Sequence, residues 1–204
     1  MSGSDRIRFH GETVLSDGWG VLKSTRLEWR RADGSWQEMA RETYDRGDAV
    51  AVLPYDPDRR NVLLVRQFRF PLFVRNEEPL MIEVAAGLLE GADSETRVRA
   101  EAEEELGYRL RDVREVFTAW VSPGSVIERI HFFLARYAPS DRVSPGGGLA
   151  HEGEDIEVVE MDFDAAMDGF ARGDIRDAKT IMLLQHAALT VFAPAGGNSR
   201  KNGD

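Results

Sequence analysis

Between residues 19 and 31, Trp19, Val21, Leu27 and Trp29 recur at roughly period two, and a second β-rich run occupies 35–46 beyond Asp33-Gly34. Alternation of this kind buries one face of a strand, and Asp-Gly between two such runs predicts a hairpin. Two further apolar runs, 48–55 and 61–68, form a second strand pair around a Pro57-Asp58 turn, and 80–85 reads as a short strand. The period changes at Asp93–Gly107, where the pattern becomes helical. Asp93 or Ser94 can accept hydrogen bonds from the first turn, and Gly107 can end the helix. Strands follow at about 113–121 and 126–137, then a polar loop at 138–154 with Pro145 and three consecutive glycines, and a strand at 156–161. Two helices close the chain, at about 163–172 and 177–192. Strands, helix, strands, helices in that order predict an α/β fold with a mixed sheet between helices. The hairpin precedes this unit, so a boundary is expected near Gly47, giving a small antiparallel β element at 1–47 and a main domain at 48–192. Residues 1–5 and 193–204 read as frayed, disordered tails.

Composition narrows the chemistry. The chain has 204 residues and no cysteine, which excludes disulfides, a thiolate nucleophile and Cys-ligated metal. Its formal net charge of −10 opposes a nucleic-acid polymer or an anionic membrane as the main partner. The first residues have no apolar core of a signal peptide, and the longest apolar stretch, 180–195, is interrupted by Gln185 and His186. A cytoplasmic protein without a membrane partner is expected. An anionic substrate would need a metal ion or a local basic pocket.

The chemistry gathers at residues 86–108, AGLLEGADSETRVRAEAEEELGY. At 100° per residue, Glu101 and Glu105 share a helix face one turn apart, with Glu104 beside them and Glu103 pointing elsewhere. Clustered carboxylates repel unless a cation sits among them, and hard oxygen ligands suit Mg²⁺ or Mn²⁺. The plain alternative is a solvated acidic face. The glycine-bearing loop just before the helix and the Leu-Gly-Tyr that ends it favour the cation.

The order Gly87, Glu101, Glu104, Glu105, Gly107 and Tyr108 resembles the Nudix box of nucleoside-diphosphate hydrolases. Asp93 stands where the box has its first glutamate, the spacing to the helix is one residue short, and Ala100 replaces a basic residue. The short spacing resembles the GDP-mannose pyrophosphatase branch, as does a series of segments along the chain. These are YDRG (44–47), RQFR (66–69), AGLL (86–89), EAEEELGY (101–108), SPG (122–124), IHFF (130–133), GGG (146–148), EDIEV (154–158) and IRDAKT (175–180). The resemblance implies a Nudix α/β/α sandwich and hydrolysis of a nucleotide sugar, best GDP-mannose, to a nucleoside monophosphate and a sugar 1-phosphate. ADP-ribose is the competing substrate, and a weakly catalytic binding module the competing class. It also implies divalent metal, Mg²⁺ with Mn²⁺ as the alternative, held by Glu101, Glu105, Glu154 and the Ala86 carbonyl. Glu105, Glu154 and Glu104 would be catalytic, with Glu152 the rival of Glu154 as the loop acid. Arg69, Glu128 and Lys179 would bind substrate, and Arg66 would be structural. Trp19, Arg41 and Glu42 would reach the substrate across a homodimer. Arg97, one turn before Glu101, could supply the charge that Ala100 lacks.

Overall fold

The computed structural model describes residues 3–193, so the expected tail at 194–204 lies outside the described residues. Two compact units emerge, one gathering the chain up to Asp48 with Ala119–Ile130, the other Ala49–Thr118 with the chain from His131 onward.

The first unit is a sheet rather than a bare hairpin. Its strands β1 (Ile7–Asp17), β2 (Val21–Arg30) and β3 (Trp36–Asp45) run antiparallel in that order. The Asp33-Gly34 turn forms as expected. Gly34 takes φ +89°, and Asp33 accepts hydrogen bonds from the backbone and hydroxyl of Ser35. Strand β1 is absent from the sequence reading for a physical reason. Its register slips between Phe9 and Gly11 and again between Val14 and Ser16, and each bulge resets the period-two pattern. Gly3–Arg6, read as a frayed end, forms a single 3₁₀ turn. Its Arg6 lies over the Trp29 ring, as Arg8 does over Trp36.

The second unit is built on β4 (Ala49–Asp56) and β5 (Asn61–Phe68), the expected strand pair. They pair only at Tyr55–Val62 and Asp56–Asn61, then part. A short helix α1 (Phe70–Val74), missed in the sequence because Pro71 sits inside it, follows β5. The returning chain fills the gap between the parted strands. Here β6 (Leu80–Glu83) runs along β5 and β7 (Ala85–Leu88) along β4, the two meeting at Val84. The loop expected from Ala86 is therefore strand as far as Leu88. Helix α2 (Ser94–Glu101) packs on β4 and β7. Next come β8 (Arg111–Trp120), β9 (Val126–Ile127), β10 (Arg129–Arg136), β11 (Glu157–Asp162), α3 (Phe163–Arg172) and α4 (Ala178–Leu189). The strand expected at 126–137 is broken at Glu128, its first two residues pairing parallel with β3 in the first unit.

The larger sheet has the order β11-β5-β4-β10-β8. Every residue of β4 is buried. Val50 and Val52 pack with Val98 and Ala102 of the box helix. Ala51 and Leu53 alternate to the opposite face, and α4 packs on the same strand. Helices thus cover both faces of a mixed sheet, as expected.

Candidate active site

The box helix is not one regular α-helix. Asp93 caps it, its carboxylate accepting from the Thr96 N–H at 3.0 Å, and α2 runs to Glu101. Ala102–Leu106 then widens into a π-helical turn, which Gly107 ends at φ +79°. Its buried residues are Val98, Glu101, Ala102, Glu105 and Leu106, an i, i+3, i+4, i+7, i+8 face in which two of five positions are carboxylates. Glu101 is 4% exposed and Glu105 2%. The solvated-face alternative fails for these two. It holds for Glu103, an exposed residue paired with Arg109.

Burying carboxylates side by side disfavours their charged forms. Burial pushes Glu101 up to about 7, with Arg97 opposing and Glu104, Glu154 and Glu152 adding repulsion. Burial also pushes Glu105 well above the usual range, helped by Glu101 and Glu154 and opposed by the Ala86 N–H and Arg69. Arg97 pairs with Glu101, lies 3.6 Å from Glu104, and donates from Nε to the Leu88 carbonyl at 2.9 Å. The cation missing at Ala100 is thus matched by one a turn earlier. Gly87 leaves room for the Glu101 carboxylate, which a Cβ there would overlap. The Ala86 N–H donates to Glu105 Oε2 at 3.2 Å.

The triple glycine shapes the neighbouring wall. The Gly147 and Gly148 N–H groups donate to the Glu105 and Glu104 carbonyls at 2.9 and 3.0 Å, satisfying the end of the box helix. Gly148 lies against Glu154, whose Oε2 accepts from the Leu149 N–H at 2.8 Å. Of the two rival loop acids, Glu154 repels both Glu101 and Glu105 and does so more strongly at Glu101 than Glu152, which lies exposed beside His151.

Arg69 and Lys179 come together on a carboxylate that sequence reasoning missed. Glu83, 1% exposed, receives Arg69 Nε at 2.7 Å, Arg69 Nη2 at 2.9 Å and Lys179 Nζ at 3.2 Å. Lys179 also donates to Asp177 at 2.7 Å. Asp177 caps α4 through Thr180, whose hydroxyl accepts from the Val84 N–H at the β6–β7 bend. Burial alone would raise Asp177, but Lys179 and Thr180 hold it below the usual carboxylate range. The signal for Glu83 was a lone charge in an apolar strand, LMIEVAAG. Arg66 pairs with Glu157 across β5 and β11.

Trp19, Arg41, Glu42 and Glu128 belong to the first unit. Trp19 is 82% exposed at the β1–β2 turn with Arg46 5.1 Å from its ring centre, so it is not a hairpin core residue. Arg41 and Glu42 are exposed on β3, and Glu128 is half-buried between β9 and β10.

The side-chain donors suit a hard divalent cation: all are carboxylates, two of them buried where protons or a metal must offset the charge. Among the described residues no three Asp, Glu or His side chains already form a closed cage; Arg97 and the Ala86 N–H hold the carboxylates instead. Among the described residues, no helix is long and apolar enough to cross a membrane.

A model described as the GDP-mannose pyrophosphatase NudK N-terminal domain matches residues 6–44, and the NUDIX domain matches 45–184. GDP-mannose pyrophosphatase of Klebsiella pneumoniae subsp. pneumoniae is 42% identical over 192 residues, 94% of this chain and 95% of its own. That of Pectobacterium atrosepticum is 45% identical, over 86% of this chain and 91% of its own. A solved structure titled as an ADP compounds hydrolase superposes with a TM-score of 0.69 over 88% of this chain and 91% of its own, at 16% identity, a likeness of fold alone.

Proposed function

The chain belongs to the Nudix hydrolases, in the GDP-mannose pyrophosphatase family, and from that premise we propose that it hydrolyses GDP-mannose to GMP and mannose 1-phosphate. The observation that carries the reading is the pair Glu101 and Glu105, buried on the inner face of the box helix where a cation is needed to offset them.

Glu101, Glu105 and Glu154 would hold a divalent ion, Mg²⁺ or alternatively Mn²⁺. The Ala86 carbonyl would join them. In an extended strand the N–H and C=O of one residue point the same way, and the Ala86 N–H points at Glu105. Bound there, the metal would neutralise charge developing on the phosphate oxygens and lower the pKa of water. Arg69 and Lys179 would grip the diphosphate, the guanidinium matching phosphate oxygens. Glu154 is the base we assign to the attacking water, with Glu104 orienting it. Water adds to one phosphorus, its proton passes to the base, and the bond to the bridging oxygen breaks. Glu128 would contact the sugar. Trp19, Arg41 and Glu42 would complete the site of a partner subunit in a homodimer.

The test is steady-state hydrolysis of GDP-mannose and ADP-ribose with Mg²⁺, products separated by chromatography. GDP-mannose is expected to have the higher kcat/KM. A higher value for ADP-ribose would overturn the substrate assignment, and no hydrolysis of either would leave the binding-module reading.

A further inference from the structure

A single cation would keep the buried Glu83 carboxylate compensated, yet two share it. Arg69 commits Nε and Nη2 to it in a fork, Lys179 adds Nζ, and Lys179 holds Asp177 as well. Two cations therefore face two carboxylates, and the group as a whole is neutral before any substrate arrives. The fork uses two of the five guanidinium donors and leaves the rest on a side chain that is 40% exposed. The same guanidinium stands close enough to Glu105 for each to shift the other, so this group borders the carboxylates of the box helix.

We propose that Glu83 is a positioning residue that fixes Arg69 and Lys179 as one rigid platform for the two phosphates, giving up binding strength for alignment. The proposal rests on Arg69 and Lys179 being the diphosphate grip. Without Glu83 the anion meets two cations and one carboxylate rather than two of each, so binding tightens. The guanidinium, however, loses its fork and turns, and misalignment lowers the rate. A fold defect lowers kcat alone; loss of a positioning charge lowers kcat and KM together.

Glu83→Gln keeps the shape, removes the charge and turns an amide N–H toward its former donors. Turnover of GDP-mannose with Mg²⁺ is measured beside calorimetric binding of inorganic pyrophosphate with Mg²⁺. The expected result is a kcat lower by about tenfold or more, with KM and the pyrophosphate Kd lower by about threefold or more. Glu83→Asp keeps the charge but draws it back by one methylene. It is expected to lower kcat about tenfold while leaving pyrophosphate affinity unchanged. Unchanged or weaker pyrophosphate binding in Glu83→Gln, or an unchanged kcat in either variant, overturns the proposal. Where Glu83→Gln does not fold, Glu83→Ala, which also removes the charge, decides by the same two readings. If the unaltered protein hydrolyses no nucleotide sugar, the proposed function fails, while pyrophosphate binding to Glu83→Gln still decides whether Glu83 weakens the hold on a diphosphate.

Discussion

At the scale of single residues, Glu101 and Glu105 make stability and activity pull in opposite directions. Without metal, the folded chain keeps a proton on Glu101 up to about pH 7, whereas the unfolded chain releases it near 4.5. The folded state then binds more protons between those values, so stability falls as pH rises through the window. Protein stripped of metal with EDTA is therefore expected to melt at a higher temperature at pH 5 than at pH 8. Mg²⁺ should restore the midpoint at pH 8, since a bound cation replaces the protons. Glu105→Gln should raise the metal-free midpoint at pH 8 and lower turnover by about 10²-fold or more. A lower metal-free midpoint together with unchanged turnover at saturating Mg²⁺ would refute both expectations. Arg97 is the second residue-scale case. It ties Glu101 to Glu104 and to the Leu88 carbonyl, so Arg97→Ala is expected to lower turnover about tenfold, with Mg²⁺ titration showing an altered midpoint. The position of Arg97 was legible because i and i+4 are neighbours on any helix. Glu83 was not, since its partners lie 14 and 96 residues away.

At the scale of elements, the box helix was legible at both ends and not in its middle. Asp93 and Gly107 carry short-range capping chemistry that spacing alone reveals. The π turn between Ala102 and Leu106 depends on what the last carbonyls bond to, and their partners come from the triple glycine some forty residues on. That loop can be tested by adding one carbon. Gly148 has φ +77°, and a Cβ there would stand 2.5 Å from Glu154 Oε2 and 2.8 Å from Glu154 Cβ. Gly153 has nearly the same backbone, φ +80°, with nothing within 4 Å of its would-be Cβ. Both alanine variants should lose about 1–2 kcal/mol to the left-handed backbone. Gly148→Ala alone should also lose about tenfold in turnover, because it displaces the loop acid. Equal turnover in the two variants, with equal melting midpoints, would show that Glu154 need not stay where Gly148 lets it stand.

At the scale of the whole molecule, the centre of the larger sheet was legible because β4, β5 and β10 are largely apolar runs. The first unit was half-read, because bulges at His10 and Leu15 hide β1. That strand forms one edge of its sheet and leaves Ile7, Phe9, Val14 and Leu15 exposed, apolar surface of the kind a second copy would cover. The proposed homodimer goes further and has Arg41 serve the partner's site. A mixing experiment separates this from a merely adjacent pair. One chain carries Arg41→Ala, the other Glu105→Gln, and each homodimer is nearly inactive. In a hybrid, a shared site makes one pocket with both defects and one with neither. Half of randomly mixed dimers are hybrids and half of their sites are intact, so about a quarter of the full activity should return. If Arg41 serves its own chain, every site keeps one defect and mixing restores nothing. Light scattering at micromolar concentration comes first, because a monomer there would already remove the partner on which Arg41 is proposed to act.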